Sequence, residues 1–229
     1  MTALAYEAPE ATMPGPDRDE YLWQTWKAME LPEGLHAEII EGSIEVSPTG
    51  RYSHGQITNL LRDKLVVFLA DRGYVARQDM NVVHERKVWI PDLFVTPADA
   101  DGHMTDDGIG VAASAVPLIV EVVSPGHDDT LRVRKRRAYA RAGIPVYVII
   151  DDYDDHGHVT VLTSPSPEEA NYGDSMRRPY GTDITIPEGP VKGFVIGKAI
   201  TGQARSAGVR TGVSPCAGSG SPSAGPGSP

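Results

Sequence analysis

The chain has 229 residues, a formal net charge of -10, 40% hydrophobic and 23% charged residues, which suits one globular domain with a sizeable core. The acidic balance excludes a protein that coats nucleic acid through its whole surface, and no run reaches the roughly 18 to 20 consecutive apolar residues of a membrane span. Cys216 is the one cysteine, so no disulfide forms within the chain, and with no basic-then-apolar opening segment a cytoplasmic protein is expected.

Residues 1–18 are rich in Ala, Pro and acids and read as a flexible arm. The folded domain is expected over 19–200. Residues 201–229 are Gly, Ser, Pro and Ala without an aromatic, too poor in apolar surface to offset the entropy of ordering, and read as a disordered tail. Inside the domain, Tyr21 to Met29 suggests a short helix stopped by Pro32-Glu33-Gly34. His36 to Val46 reads as a hairpin turning at Glu41-Gly42. Ile57, Leu60, Leu61, Leu65, Phe68 and Leu69 recur at helical spacing, so Ser53 to Asp71 is an amphipathic helix ended by Gly73. Tyr74 to Gln78, Asn81 to His84 and Val88 to Val95 follow as strands, and Asp99 to Ala113 as a loop. Leu118 to Val123 is a buried strand, Asp128 or Asp129 caps a helix reaching Ala142, and Val146 to Ile150 is a second apolar strand. That order reads as a right-handed crossover between parallel strands. Val159 to Thr163 and Asp183 to Ile186 are expected as edge strands. The fold class is therefore α/β (α+β), a mixed β-sheet flanked by helices.

Two carboxylates interrupt this pattern. Asp92 lies in the run Val88-Trp89-Ile90-Pro91-Asp92-Leu93-Phe94-Val95, and Glu121 in Pro117-Leu118-Ile119-Val120-Glu121-Val122-Val123. Acids in such runs are costly unless paired, protonated or bound to a metal. On neighbouring strands they would make an anionic site able to hold a divalent cation through oxygen ligands. Lys135 shares a helical stripe with Leu131, Ala138, Tyr139 and Ala142, so it points toward the sheet near Glu121, as a neutralising partner or as a participant in chemistry. Glu38 in Ala37-Glu38-Ile39-Ile40, and His54 three residues before Ile57, face the same way and can share one cleft or be satisfied structurally. Arg132, Arg134, Lys135, Arg136, Arg137 and Arg141 form a basic stretch without an acid among them. Arg134, Arg137 and Arg141 fall on a face that can stay solvated.

These residues resemble a known family. Pro91-Asp92, Glu121-Val-Val-Ser-Pro125 and a lysine in the following helix look like the PD-(D/E)XK nuclease superfamily, with Val123 where the lysine usually stands and Lys135 in the place of a migrated lysine. More narrowly, Glu38-Ile-Ile-Glu-Gly42, His54, Pro91-Asp92, Glu121 to Pro125, and Lys135 through Tyr139-Ala-Arg-Ala-Gly-Ile-Pro145 to Asp151 resemble the Uma-type restriction endonuclease family from about Glu33 to Asp151, more weakly to Ile196. The resemblance implies a restriction endonuclease-like fold and a metal-dependent endonuclease acting on DNA. Asp92, Glu121 and the main-chain carbonyl of Val122 would hold Mg²⁺ or Mn²⁺, which lowers the pKa of a bound water. Lys135 would orient that water or offset charge on the phosphorane oxygens. Glu38 would hold a metal-bound water or a second metal, and His54 would contact a phosphate or relay a proton. Arg132 and Arg136, within the basic stretch, would position the nucleic-acid backbone. A homodimer is expected because two strands must be cut.

Two other readings stay open: a nuclease-fold module that binds nucleic acid or a partner protein without cutting, and a hydrolase of a small phosphoester. Asp151-Asp152-Tyr153-Asp154-Asp155-His156-Gly157-His158 fits a hairpin turn better than a metal site. Asp99-Ala100-Asp101-Gly102 lacks the later ligands of a calcium loop. The chain has no Gly-Lys-Ser/Thr phosphate loop, no Gly-x-Ser-x-Gly elbow and no cysteine pair for zinc.

Overall fold

The computed structural model describes residues 4–7, 15–48, 50, 52–99, 101–123, 129–153 and 156–203. The chain opens with strand β1 (Leu4–Glu7) and helix α1 (Gly15–Ala28), followed by the hairpin β2 (Leu35–Ile40) and β3 (Ser43–Pro48). Glu41 and Gly42 both take positive φ, 44° and 81°, the twist that a two-residue hairpin turn requires. Helix α2 (Tyr52–Leu69) comes next, burying Ile57, Leu61, Leu65 and Leu69 at four-residue intervals. Strands β4 (Tyr74–Arg77), β5 (Val82–His84), β6 (Lys87–Trp89), β7 (Leu93–Pro97) and the short β8 (Val111–Ala112) lead to β9 (Leu118–Val123). Helix α3 (Asp129–Arg141) and strands β10 (Val146–Asp151), β11 (His158–Ser166) and β12 (Asn171–Pro179) follow. The described chain closes with β13 (Ile184–Thr185), β14 (Val195–Ile196) and helix α4 (Lys198–Thr201).

The central sheet has six strands in the order β12-β11-β10-β9-β7-β4. β9 and β10 are parallel and joined through α3, and the other pairs are antiparallel. Side-chain alternation divides its two faces. Leu118, Val120 and Val122 of β9, with Val146, Val148 and Ile150 of β10, pack in one core with α2 and with Ile184, Phe194 and Ile200. Ile119 and Tyr147 point the other way, into a second core with Ala138 and Tyr139 of α3. Glu121 has the parity of Ile119, so the strand aims it at α3. A third core joins Leu22 and Trp23 of α1 to the β2–β3 hairpin.

The structure departs from the sequence expectations at several points. Residues 88–95 are not one strand. β6 ends at Trp89 and pairs with β5 in a small three-stranded sheet, whereas β7 begins at Leu93 in the central sheet. Pro91 has no N–H for a ladder, and the chain changes sheets there. Residues 159–163 lie in β11, which is interior, because β12 covers it as the edge strand. The sequence Asn171-Tyr-Gly-Asp-Ser-Met-Arg-Arg-Pro179 carries little apolar alternation to announce β12. β13 pairs only with β14, outside the central sheet. Within the expected arm, Leu4–Glu7 adds to β3 as an edge strand and α1 begins at Gly15. Residues 101–113 carry a 3₁₀ turn (Asp101–His103) and β8 within the expected loop, and residue 100 lies outside the described residues. The tail beyond residue 203, Cys216 included, lies outside the described residues, as does the capping position Asp128. No helix among the described residues is long and apolar enough to cross a membrane.

Candidate active site

The sheet change at Ile90-Pro91-Asp92 creates the site. Asp92 stands just before β7, beside the C-terminal half of the neighbouring β9. Its Oδ2 accepts a hydrogen bond from the Val122 N–H at 2.7 Å and contacts His54 Nε2 at 3.0 Å. His54 comes from the first turn of α2, so Asp92 ties that helix to the central sheet. On the α3 side, Lys135 Nζ lies 3.0 Å from Glu121 Oε1 and 3.1 Å from Glu38 Oε1. Glu38 Oε1 also accepts the Ile90 N–H at 2.8 Å. The Tyr139 hydroxyl donates to Glu121 Oε1. All five sequence-derived polar candidates, Glu38, His54, Asp92, Glu121 and Lys135, together with Val122, line one cavity of about 90 Å³.

Tyr139 was read from the sequence as core, and the structure adds it to the cluster. It is fully buried and held edge-to-face between Trp89 and Tyr147, with ring centroids 5.2 and 5.0 Å away. It follows Lys135 by one helical turn on the same stripe, where a tyrosine satisfies the pattern of a core. His36, Ser47 and Gly50 also line the cavity without having been singled out. A Cβ built on Gly50 would sit 2.2 Å from His54 Nδ1, so the backbone there approaches the imidazole more closely than any side chain allows.

The electrostatics follow from the count of charges. Three carboxyls face one lysine and one histidine, and the side chains of Glu38, Glu121 and Lys135 are only 4, 13 and 11% exposed. Burial, then the negative charge of Asp92 and Glu38, pushes the Glu121 carboxyl up to about 8 against the pull of Lys135 and Tyr139. Burial opposes the charged form of Lys135, but Glu121, Glu38 and Asp92 outweigh it and hold the ammonium protonated above the usual lysine range. Burial likewise opposes the His54 cation, and the hydrogen bond and charge of Asp92 raise its pKa nonetheless. Asp92 itself is lowered, since His54, Lys135 and the Val122 N–H more than offset its burial. Tyr139 is raised well above the ordinary phenol value by burial and by Glu121, and so acts as a donor. The surplus of negative charge is therefore relieved by a proton held on Glu121.

The donor set suits a hard divalent cation. Two carboxylates converge beside a backbone segment, and a site short of positive charge gains from a cation where Glu121 otherwise holds a proton. Among the described residues no three His, Cys, Asp or Glu side chains converge as a metal-binding group. The cavity has room for roughly three water molecules at ~30 Å³ each.

Arg137 and Arg141 of α3 stay exposed, as expected, whereas Arg134 is half-buried, and all three are paired with acids. Arg134 pairs with Glu45 and bonds Ser43 and the Ile40 carbonyl. Arg137 and Arg141 both pair with Glu41. The hairpin supplies the acids that pair with these arginines. Arg136 is half-buried near Tyr172 and does not line the cavity. The side chain of Arg132 lies outside the described residues.

A solved structure of a putative nuclease belonging to DUF820, from Anabaena variabilis, is similar with a TM-score of 0.58 and 17% identity, covering 72% of this chain and 89% of that one. That likeness shows a shared fold. No curated protein matches. The family described as "Uma2: Putative restriction endonuclease" matches residues 23–188, a span that contains every residue of the cluster, and the chain belongs to that family.

Proposed function

We propose that the protein is a metal-dependent endonuclease that hydrolyses phosphodiester bonds of DNA. One observation carries this reading: Asp92, Glu121 and Glu38 surround a single buried lysine in a cavity too small for a nucleoside but large enough for a phosphate with water. Asp92, Glu121 and the Val122 carbonyl would hold Mg²⁺ or Mn²⁺, which when bound supplies Lewis-acid polarisation of the phosphate and a more acidic water. Lys135 stays protonated, which makes it a poor proton acceptor and a good stabiliser of charge growing on the phosphate oxygens. Glu38 positions Lys135 and is itself held by the Ile90 N–H. His54, engaged through Nε2, steadies Asp92 in its ionised form. Tyr139 fixes Glu121 Oε1 from behind.

The test is Mn²⁺- or Mg²⁺-supported cutting of supercoiled plasmid by the wild type beside Asp92→Ala and Glu121→Ala. Nicking or linearisation by the wild type alone is expected, with both variants at least a hundredfold slower, about the loss seen when one electrostatic stabiliser is removed elsewhere. Cutting that survives both substitutions would refute the assigned site. Absence of cutting by the wild type, with a melting temperature that rises on adding Mn²⁺, would favour a nuclease-fold binding module instead.

A further inference from the structure

A second cavity of about 490 Å³ opens beside the first and shares His36, Gly50, His54, Ile90 and Asp92 with it. Thr58 and Asn59 of α2, Gly55 of the same helix, and Gln78 and Asp79 beyond β4 form its remaining wall. We propose that this cavity receives a single unstacked base of the substrate, the one next to the phosphate seated against Asp92 and Glu121, with the Asn59 and Gln78 amides reading its edge. The inference rests on the nuclease reading and deepens it.

Size separates the two cavities. One near 90 Å³ admits a phosphate group and water, whereas one near 490 Å³ falls within the ~300–1,000 Å³ of ordinary small-ligand sites. Since Asp92 and His54 line both cavities, a phosphodiester placed in the first brings its adjoining nucleoside toward the second. The lining chemistry suits a neutral, flat, hydrogen-bonding group. Leu35, Ile90 and Pro91 give apolar surface, and no lysine or arginine occurs among the described lining residues. The Thr58 hydroxyl is spent on the His54 carbonyl. Asp79 and the imidazoles of His36 and His54 also line the cavity, but only the Asn59 and Gln78 carboxamides each present a donor beside an acceptor, the complement of a base edge of the same kind. A base stacked in a duplex cannot enter, so the preferred substrate is single-stranded or locally opened DNA.

Gly55 provides a decisive variant. A Cβ there would meet nothing within 4 Å, and leucine is a better helix former than glycine, so Gly55→Leu fills the cavity while keeping α2.

The experiment uses the full chain with Mn²⁺ and end-labelled single-stranded 15-mers, one intact and the others with one abasic nucleotide stepped along the strand. For the wild type, an abasic nucleotide beside the cut bond should lower kcat/KM about tenfold or more, the loss typical of one missing base contact. Asn59→Ala, Gln78→Ala and Gly55→Leu should lower cutting of the intact strand by a similar factor and leave the abasic strand unchanged. Equal cutting of intact and abasic strands by the wild type, or equal losses on both by the variants, would overturn the base pocket and leave the nuclease standing. No cutting of any 15-mer or of plasmid by the wild type would overturn both.

Discussion

Glu121 is where the site's charge imbalance settles, and its neighbours make that measurable. Its folded carboxyl holds a proton up to about pH 8, whereas an unperturbed one releases it near 4.5. Folding therefore takes up a proton between those values, so the stability linked to Glu121 is complete below 4.5 and is lost as pH approaches 8. His54, also raised, adds loss of the same sign as pH rises above 6.5; Asp92 acts oppositely, but only in acid below 3.8. The metal-free protein should thus melt at progressively lower temperature from pH 5 to 8.5, and Glu121→Gln should flatten that slope, as thermal melts in EDTA will show. Lys135→Met strips the ammonium from between Glu38 and Glu121 and should cost about 3–5 kcal/mol in urea unfolding. Asp92, Glu121 and Lys135 were legible in the sequence because a charge in an apolar run or stripe demands a partner. Tyr139 was not, since a tyrosine in the same place satisfies the pattern of a core. The pairing of the α3 arginines was hidden for another reason: Glu45 lies 89 residues from Arg134, and Glu41 lies 100 from Arg141.

The β2–β3 hairpin and α3 act as one braced element. Glu38 and Glu45 are direct cross-strand partners, a repulsive arrangement by itself. Consecutive residues of α3, Arg134 and Lys135, answer one acid each. The brace holds Lys135 at the height of Glu121. Arg134→Ala leaves the mostly buried Glu45 without its cation and should destabilise by about 2–3 kcal/mol, whereas Arg141→Ala, nearer the surface, should cost under about 1 kcal/mol; denaturant midpoints of the two variants give the comparison. The hairpin, α2 and the β9–α3–β10 crossover were readable from turn chemistry and periodicity. The β6–β7 division was not, because the apolar run continues through Pro91 and only tertiary pairing reveals two sheets. β12 was missed because an edge strand facing solvent needs little apolar alternation.

At the scale of the whole molecule, net charge and local pairing combine. The chain carries -10, and three arginines of its most basic stretch are paired with Glu41 and Glu45, which leaves one positive charge among the five groups. Binding to DNA should then draw little on counterion release. With about three phosphates neutralised, the plot of log affinity against log salt for a single strand should have a slope near -2, measurable by fluorescence anisotropy between 50 and 300 mM NaCl. A slope near -6 would point to a basic surface outside α3. The six-stranded mixed sheet with helices on both faces agrees with the class expected from alternating strand and helix patterns, and the match over residues 23–188 spans most of it.

Two main-chain amides give this chemistry a built-in reporter. The Ile90 N–H ends on Glu38 and the Val122 N–H on Asp92, so each backbone proton lies against a site carboxyl and reports on the cavity without any added label. In a ¹⁵N-correlated spectrum these two resonances, 32 positions apart in the chain, should move together when pH or a divalent ion changes the charge of the cavity, while amides of the β11–β12 ladder stay still.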